Sequence, residues 1–210
     1  MTDLMNETCR RFSDLLAAKI TMPGGGSAAA LTGSLGSALC SMTANFTLGK
    51  KKYADVENDV KRILENSERL RLRLLELSDE DAKAFPELSE AWKLPKDYPE
   101  REKIYERAAL NACKAPSEMV MCCCEAIDLI LEIAEKGSIM LISDAGCGAL
   151  LCSSAMQSAA MNVFINTSSL KDCQEAREIE EKIDNALSEY VPKAQKIAEK
   201  VMNIFIFRKG

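Results

Sequence analysis

The sequence predicts an all-α protein, a single-domain bundle of six or seven helices around a central pair that is rich in small residues. Long segments repeat apolar residues at alternating spacings of three and four, which is the period of a helix. Hydrophobic residues make up 47% of the 210 residues but aromatic residues only 5%, a mixture that favours helix over strand. No segment shows strand-like alternation and no linker divides the chain, so we expect one domain over residues 1–210.

A short opening helix over residues 3–18 is followed by a glycine loop, Met22-Pro-Gly-Gly-Gly-Ser-Ala-Ala-Ala30. Pro23 disfavours helix at the residue before it, and three consecutive glycines allow backbone conformations that are closed to other residues. We predict that Ser27 caps the next helix, so that the N–H groups of the loop and of the first turn suit an anion. The simpler alternative is a tight turn that only starts a helix.

The segment from Thr21 to Gly49 carries no charge and ends at Lys50-Lys-Lys-Tyr53. It predicts one buried helix of about twenty residues, on the order of 30 Å long. Such a helix cannot bring its own two ends together. If the glycine loop and the lysines bind the same ligand, they must meet across a two-fold axis, so we expect a homodimer with sites at the subunit boundary. The alternative for the lysines is a solvated helix end.

The next helix carries a regular apolar stripe that ends at a carboxylate. Its positions are spaced three and four residues apart: Val60, Ile63, Ser67, Leu70, Leu74, Leu77 and Asp81. Asp81 therefore occupies an inward-facing position, where a carboxylate needs a partner or a function. The alternative is that Asp79, Glu80 and Asp81 form a solvated acidic end of the helix.

Proline positions predict two interruptions further along the chain. Pro86 begins a looser segment around Trp92, which two further prolines punctuate. A long helix is then expected over about residues 98–135, and Pro116 should kink or divide it.

A second uncharged helix follows, with Ser143 or Asp144 as its cap and many Gly, Ala and Ser residues. Together with the first uncharged helix it predicts a close-packed central pair that is fully surrounded by other helices. Asn162 and Asn166 bracket a short apolar stretch at its end. A long amphipathic helix from about residue 179 completes the bundle.

Charge and composition exclude several classes of function. The net charge of −5 and the lack of a basic stripe interleaved with aromatic residues argue against nucleic-acid binding. The charged N-terminus does not resemble a secretory signal, and the run from Thr21 to Gly49 is too polar for a membrane span. Nine cysteines without a single histidine, mostly in apolar surroundings, predict free thiols, a reducing cytoplasmic compartment and no metal site.

Five short sequence motifs follow one another along nearly the whole chain. They are Pro23-Gly-Gly-Gly-Ser27, Gly49-Lys-Lys-Lys-Tyr53, Asp81-Ala-Lys-Ala-Phe85, Ser143-Asp144-Ala-Gly146, and Asn162-Val-Phe-Ile-Asn166 with the following Leu170-Lys171-Asp172. Together the motifs resemble the formiminotransferase-cyclodeaminase C-terminal family. The resemblance implies an all-helical homodimer that acts on one-carbon derivatives of tetrahydrofolate.

The resemblance implies one of two reactions. Because the chain has no room for a transferase domain, we expect a free-standing methenyltetrahydrofolate cyclohydrolase, which hydrolyses 5,10-methenyltetrahydrofolate to 10-formyltetrahydrofolate. The first alternative is a formiminotetrahydrofolate cyclodeaminase, which releases ammonia and forms 5,10-methenyltetrahydrofolate. The second is a folate-binding dimer without catalytic activity.

Both reactions pass through a tetrahedral carbon between N5 and N10, and both need proton transfer and negative charge near a cationic amidine. With no histidine in the sequence, carboxylates, Lys and Tyr must supply them. We expect Asp81 and Asp144 to stabilise the amidinium and to move the proton, with either assignment open, and Lys51 or Lys52 to donate a proton or bind the glutamate tail. The expected catalytic residues are Asp81, Asp144 and Lys52, and the expected substrate-binding residues are Gly24, Gly25, Gly26, Ser27, Lys50, Lys51, Tyr53, Asn162 and Asn166. Neither reaction transfers a hydride, so we expect no metal or redox cofactor.

Overall fold

The structure, a computed structural model, describes residues 4–170 and 172–206, without the side chain of residue 206. Lys171, which belongs to the last of the five motifs, lies outside the described residues. The described ranges contain no strand, three short 3₁₀ helices (Leu4–Asn6, Lys51–Val56 and Ile139–Leu141) and six α-helices: α1 (Cys9–Ala17), α2 (Gly25–Asn45), α3 (Glu57–Lys93), α4 (Arg101–Lys136), α5 (Ile142–Thr167) and α6 (Gln174–Ile206). The predicted all-α bundle is confirmed.

Helices α2 and α5 pack against each other as the predicted central pair. A Cβ atom on Gly36 would lie 2.9 Å from the carbonyl oxygen of Gly148, so the two backbones touch at this point. Gly25, at the start of α2, faces Asn162, near the end of α5, which makes the two helices antiparallel. Glycines at the crossing allow this close approach because they place no side chain between the backbones.

The other long helices surround this pair on three sides. Helix α3 packs along α2, where the hydroxyl of Ser37 donates to the carbonyl oxygen of Ser67 at 2.7 Å. Helix α6 packs along α5, so that α3, α2, α5 and α6 form a layer of four helices. Helix α4 packs against one face of this layer and contacts all four. Buried side chains from these helices form one large apolar core, and a smaller cluster joins the end of α3 to the start of α4.

One face of the central pair is uncovered, contrary to the prediction of a fully surrounded pair. Leu35 of α2 and Phe46, its C-cap, are 51% and 52% exposed, and Met161 and Ile165 of α5 are 70% and 64% exposed. Because α4 contacts both helices from behind, these side chains lie on the opposite side of the layer. We call the exposed faces of α2 and α5 the uncharged face, since neither α2 nor residues 145–167 contain a charged residue.

The predicted break at Pro86 and the predicted division of the next helix at Pro116 are wrong, whereas the alternative of a kink at Pro116 stays a prediction. Helix α3 continues through Pro86 to Lys93 and includes Trp92, and α4 runs undivided through Pro116. Leu88 lies in the extension of α3 and is buried in the smaller apolar cluster. The burial of this extension outweighs the hydrogen bond and the local fit that a proline costs a helix.

The predicted helix caps are also wrong. Gly24, which has extended backbone angles and no side chain, is the N-cap of α2, so Ser27 lies inside the helix. Helix α5 begins before Ser143 and Asp144, with Leu141 as its N-cap, and Asp144 lies in its first turn. In both places the backbone turns into the helix a few residues before the side chain that could have capped it.

One segment is long and apolar enough to cross a membrane by length and composition alone. Residues 139–167 reach a mean hydropathy of 1.5. In the bundle 56% of that window is buried, and the core helix of a globular bundle passes the same test. The buried part of its apolar surface packs against α2, α4 and α6.

Candidate active site

The predicted site residues lie in two groups at opposite ends of the central helix pair. The first group, which we call the glycine cluster, consists of Gly24–Ser27, Asp81 and Asn162. A Cβ atom on Gly26 would lie 2.6 Å from Cγ of Asp81, and one on Gly25 would lie 3.5 Å from the side-chain amide atoms of Asn162. Asp81 from α3 and Asn162 from α5 therefore flank the first turn of α2.

The first turn of α2 supplies backbone donors to this cluster. Its N-cap, Gly24, has no side chain that could accept a hydrogen bond from the first N–H groups of the helix. The first N–H groups of a helix have no acceptor within it and lie at the positive end of its dipole. Gly26 has to be a glycine here, because a methyl group would overlap the Asp81 carboxyl. The cluster thus combines unpaired donors with one acidic group.

Asp81 is partly buried and has no cationic partner among the described residues. Burial raises the pKa of this carboxyl from its ordinary value of 3.8 to about 6. Its neighbour Glu80 points elsewhere and pairs with Arg73 at 2.6 Å on the surface. The alternative of a solvated acidic end therefore describes Glu80 and not Asp81. A carboxyl group with a pKa near 6 can accept and release protons near neutral pH.

The two predicted asparagines have different surroundings. Asn162 donates from Nδ2 to the carbonyl oxygen of Ser158 at 2.8 Å, which holds its side chain against the start of α2. Asn166 donates to the carbonyl oxygen of Ala112 at 3.2 Å and so ties α5 to α4. Only Asn162 belongs to the glycine cluster.

The second group, which we call the lysine cluster, consists of Lys50–Tyr53, Ser138 and Asp144. Lys50 donates from Nζ to the Ser138 hydroxyl at 3.5 Å. The N–H of Ile139 donates to the Tyr53 hydroxyl at 3.4 Å. Asp144 lies on the first turn of α5, which begins shortly after Ile139 in the sequence. The cluster combines exposed ammonium groups with a phenol and a carboxylate.

Tyr53 has an altered acidity in this setting. Desolvation alone would raise its pKa, but the N–H of Ile139, the Ser138 hydroxyl and the Lys52 ammonium together lower it below its ordinary value of 10. Lys52 also lies over the Tyr53 ring, with Nζ 5.4 Å from the ring centre. Lys51 is exposed beside them. A phenol whose pKa is lowered in this way is a better proton donor than an isolated tyrosine.

The two clusters are far apart within one chain. Asp144 and Asn162 lie on the same helix, and their separation along it is about 27 Å at 1.5 Å per residue. The structure therefore brings Asp81, Asn162 and Gly24–Ser27 together. It places Asp144 and Lys50–Tyr53 at the opposite end of the bundle.

Sequence reasoning missed two polar residues at these sites, Ser78 and Ser138. Ser78 is fully buried one turn before Asp81, and its hydroxyl makes no hydrogen bond with any described residue. The rule that singled out Asp81, a polar residue on a buried helix face, applies equally to Ser78. Ser138 carried no such signal, because its contact with Lys50 depends on the fold.

The cysteines form no site of this kind. All nine are free thiols, and six of them are buried. Burial raises the pKa of Cys40 to about 12 and that of Cys122 to about 11, which disfavours the reactive thiolate. Among the described residues no group of three or more His, Cys, Asp or Glu side chains is placed to hold a metal ion.

Comparisons with known proteins identify the family of this chain. The sequence profile of the formiminotransferase-cyclodeaminase family matches residues 8–185. The chain is 40% identical over 200 residues to a methenyltetrahydrofolate cyclohydrolase of Methylorubrum extorquens, and this match covers 93% of the chain and 96% of that protein. It is 29% identical over 173 residues to the mouse formimidoyltransferase-cyclodeaminase, and this match covers 80% of the chain. The match spans only 32% of the mouse protein.

A solved structure shares the whole fold. The formiminotetrahydrofolate cyclodeaminase of Thermotoga maritima superposes with a TM-score of 0.83 at 28% sequence identity, covering 95% of this chain and 99% of that one. The profile match, the cyclohydrolase relative and this superposition each extend over most of the sequence. The chain therefore belongs to the formiminotransferase-cyclodeaminase family.

Proposed function

We propose that this protein is a methenyltetrahydrofolate cyclohydrolase, which hydrolyses 5,10-methenyltetrahydrofolate to 10-formyltetrahydrofolate. The observation that carries the proposal is the partly buried carboxyl of Asp81, which faces the first turn of α2 beside Asn162 and has a pKa of about 6. The full-length similarity to the cyclohydrolase of Methylorubrum extorquens supports this activity over its alternatives.

Asp81 is the proton-transfer group in this reaction. Hydrolysis requires a base when water attacks the methenyl carbon and an acid when N5 departs, and one carboxyl group with a pKa near neutrality serves both steps. The N–H groups of Gly24–Ser27 and the amide of Asn162 bind the polar edge of the folate. This assignment leaves Asp144 as the carboxylate that stabilises the cationic amidine.

Asp144 reaches the reacting carbon only if it comes from a second subunit. We infer a homodimer that packs the uncharged face of one chain against the same face of another. A two-fold axis across antiparallel helices places the glycine cluster of one chain beside the lysine cluster of the other. Large exposed apolar side chains without charges are typical of such an interface.

The remaining residues of the lysine cluster bind the folate and donate a proton to it. Lys51 is exposed and binds the anionic glutamate tail of the folate. Lys52 and Tyr53 form a proton donor, since the ammonium group helps to lower the pKa of the phenol. No hydride moves in this reaction, so we propose no metal or redox cofactor. The free thiols favour a reducing, cytoplasmic location.

Formiminotetrahydrofolate cyclodeaminase activity is the second candidate. The superposition on the Thermotoga maritima enzyme of that name favours it specifically. In that reaction N10 attacks the formimino carbon and ammonia leaves, so Asp81 and Asp144 keep the same roles. The two candidates differ in whether water or N10 is the nucleophile.

The first experiment follows the loss of methenyl absorbance when purified protein is added to 5,10-methenyltetrahydrofolate. We expect a rate that increases in proportion to protein concentration above the spontaneous hydrolysis. No acceleration, together with ammonia release from formiminotetrahydrofolate, would favour the second candidate. Tight binding of tetrahydrofolate without either reaction would indicate a folate-binding dimer.

A mixing experiment tests the shared site. Asp81→Asn and Asp144→Asn homodimers should each be inactive. In a heterodimer of the two, one site combines an intact Asp81 with an intact Asp144, and the other site has neither. Exchange at equal concentrations should restore about a quarter of wild-type activity, because about half of the dimers are mixed and each has one working site. No recovery after confirmed exchange would show that Asp81 of one chain and Asp144 of the other do not share a catalytic site, and would refute this arrangement.

A further inference from the structure

A cleft of about 620 Å³ opens at one end of the bundle, where the end of α3, the first turns of α4 and the link between α5 and α6 meet. Pockets that bind small molecules have volumes of about 300–1,000 Å³. We call this space the terminal cleft and define it by six of the side chains that line it: Trp92, Arg101, Glu102, Tyr105, Glu106 and Asp172. The cleft is therefore large enough for a small organic molecule.

Two aromatic side chains give the terminal cleft an apolar wall. Trp92 is 47% exposed, and the ring of Phe85 packs against it edge-on, with the ring centres 6.0 Å apart and the planes at 80°. Phe85 lies about two turns earlier on α3, so this contact supports the orientation of the indole. Tyr105 lies on α4 and is half-buried. An indole held in this way offers an apolar or aromatic ligand group a flat surface.

The terminal cleft also contains charges of both signs that do not pair with each other. Arg101 donates from Nε to the carbonyl oxygen of Leu94 at 3.0 Å, and it forms no ion pair with any described residue. Glu102, Glu106 and Asp172 likewise form no ion pair within the part of the chain that the structure describes. On α4, Glu102 and Glu106 follow Arg101 by one and five residues, not by the three or four at which helical side chains meet. The fold thus places a guanidinium and three carboxylates around one space and leaves them unmatched.

These charges select among classes of ligand. An anion would bind the Arg101 guanidinium but would be repelled by three carboxylates. A cation would satisfy the carboxylates and leave the two terminal nitrogens of Arg101 without a partner. A zwitterion satisfies both, because its carboxylate can accept two parallel hydrogen bonds from the guanidinium while its ammonium group donates to the carboxylates. The aromatic wall adds a preference for an apolar group on the same molecule.

We propose that the terminal cleft binds a free α-amino acid with an aromatic or large aliphatic side chain. Its carboxylate binds the terminal nitrogens of Arg101, and its ammonium group binds the neighbouring carboxylates. Its side chain lies against Trp92. No covalent bond forms or breaks, so the cleft is a binding site and not a second catalytic centre.

The terminal cleft is separate from the proposed folate site. Trp92 follows Asp81 by eleven residues on α3, which is about 16 Å along the helix axis. An amino acid that lies against Trp92 therefore leaves the Asp81 carboxyl free. This inference goes beyond the proposed cyclohydrolase function and does not depend on it. It gives a role to Phe85 and Asp172, two residues of the five sequence motifs that the proposed reaction does not use.

Trp92 is the only tryptophan in the sequence, so its fluorescence reports directly on the cleft. The first measurement titrates the purified protein with L-phenylalanine under selective excitation of tryptophan, and isothermal titration calorimetry measures the same affinity independently. Two further probes test the need for both charges: 3-phenylpropionate lacks the ammonium group, and 2-phenylethylamine lacks the carboxylate. We expect saturable binding of L-phenylalanine and binding of each probe that is weaker by about tenfold or more, since each loses one charged contact.

Substitutions test the same contacts from the side of the protein. Arg101→Gln and Glu106→Gln each remove one charge from the cleft and should weaken L-phenylalanine binding about tenfold. Glu106 is exposed, so its replacement leaves the fold intact. Arg107→Gln is the matched control, because Arg107 lies on the same helix, outside the cleft, in an exposed ion pair with Glu87 at 3.4 Å. Since such a pair contributes little to stability, this variant should bind L-phenylalanine with the wild-type affinity.

The outcomes are independent of the proposed reaction, because binding is measured without turnover. No saturable binding of L-phenylalanine by either method overturns the amino-acid site. Equal affinity for L-phenylalanine and 2-phenylethylamine, or equal losses in Arg101→Gln and Arg107→Gln, also overturns it. Displacement of L-phenylalanine by tetrahydrofolate would assign the cleft to the folate site and overturn the proposal as well. Weaker binding in Arg101→Gln and Glu106→Gln with unchanged binding in Arg107→Gln supports it, whether or not the wild type accelerates methenyl hydrolysis.

Discussion

The carboxyl group of Asp81 makes the stability of this fold depend on pH. Its pKa is about 6 in the folded chain, above the ordinary value of 3.8. Between these values the folded state binds the proton more strongly than the unfolded state does. The free energy of unfolding therefore falls as pH rises from about 4 to 6, and the cost above that range is roughly 2–3 kcal/mol.

Asp81→Asn should thus stabilise the protein at pH 7.5 while abolishing turnover. The amide removes the cost of burying a charge, so the melting temperature should rise at pH 7.5 and approach that of wild type near pH 4. The rate should fall by a factor of about 10² to 10⁴, the range for a lost acid–base group. Thermal melts at both pH values test the first part, with the surface change Glu80→Gln as control. A variant that is less stable than wild type at pH 7.5 would contradict the assigned burial.

The contact between Gly26 and Asp81 gives a second prediction at this scale. Gly26→Ala places a methyl group where the Asp81 carboxyl lies and must displace it. We expect kcat/KM to fall about a hundredfold, as for a misplaced catalytic group. Gly24→Ala, whose new methyl group would have nothing within 4 Å, should show a smaller loss. Steady-state kinetics of the two variants measure the difference, and equal losses would show that the carboxyl position is unimportant.

At the scale of elements, periodicity predicted most helices well, and local signals predicted their ends poorly. The uncharged run predicted a helix of about twenty residues, and α2 has 21. Its start was missed because Gly24 carries no side chain that could mark a cap. We predicted a break at Pro86 because the rule that proline ends a helix takes no account of Leu88, whose burial stabilises the helix beyond the proline. Tertiary packing decides such cases, and a single sequence does not show it.

The crossing of α2 and α5 can be tested at one glycine. In an open helix Gly36→Ala would stabilise by roughly 0.5–1 kcal/mol. Here the new Cβ would lie 2.9 Å from the carbonyl oxygen of Gly148, and overpacking costs about 1–3 kcal/mol. The net result should be a lower free energy of unfolding in urea. Gly33→Ala, whose nearest neighbour would be the side-chain sulfur of Cys123 at 3.0 Å and not a backbone atom, should lose less. A stabilised Gly36→Ala would show that the backbones do not touch.

At the scale of the whole molecule, the sequence predicted the parts of the site but not which parts meet. Asp81 was identifiable because a carboxylate stood in an apolar stripe. The separation of the two clusters followed from the length of one uncharged helix. Asn162 and Asn166 could not be told apart, because the contact of Asn166 with Ala112 lies between helices distant in sequence. Ser78 was missed although it lies beside the last apolar position of the same stripe.

The proposed dimer predicts different reactivity at two exposed thiols. Cys147 is exposed on α5 within the uncharged face, and Cys9 is exposed on α1. In a dimer a maleimide pulse should modify Cys9 quickly and Cys147 slowly, which intact-mass spectrometry resolves. Leu150→Glu, which introduces a charge into that face, should separate the subunits and make both thiols react. Equal labelling of both in wild type, with a monomeric mass in solution, would refute the interface.

Helix α2 is a continuous rod of 21 residues with the glycine cluster at one end, and the lysine cluster begins just beyond its other end. In the proposed dimer these ends serve different catalytic centres. A substrate that shifts the first turn by a fraction of an ångström moves the lysines of the neighbouring centre as well, because a packed helix transmits displacement along its axis. Folate binding at the two centres is then cooperative, and its sign is set by whether that shift opens or closes the second one.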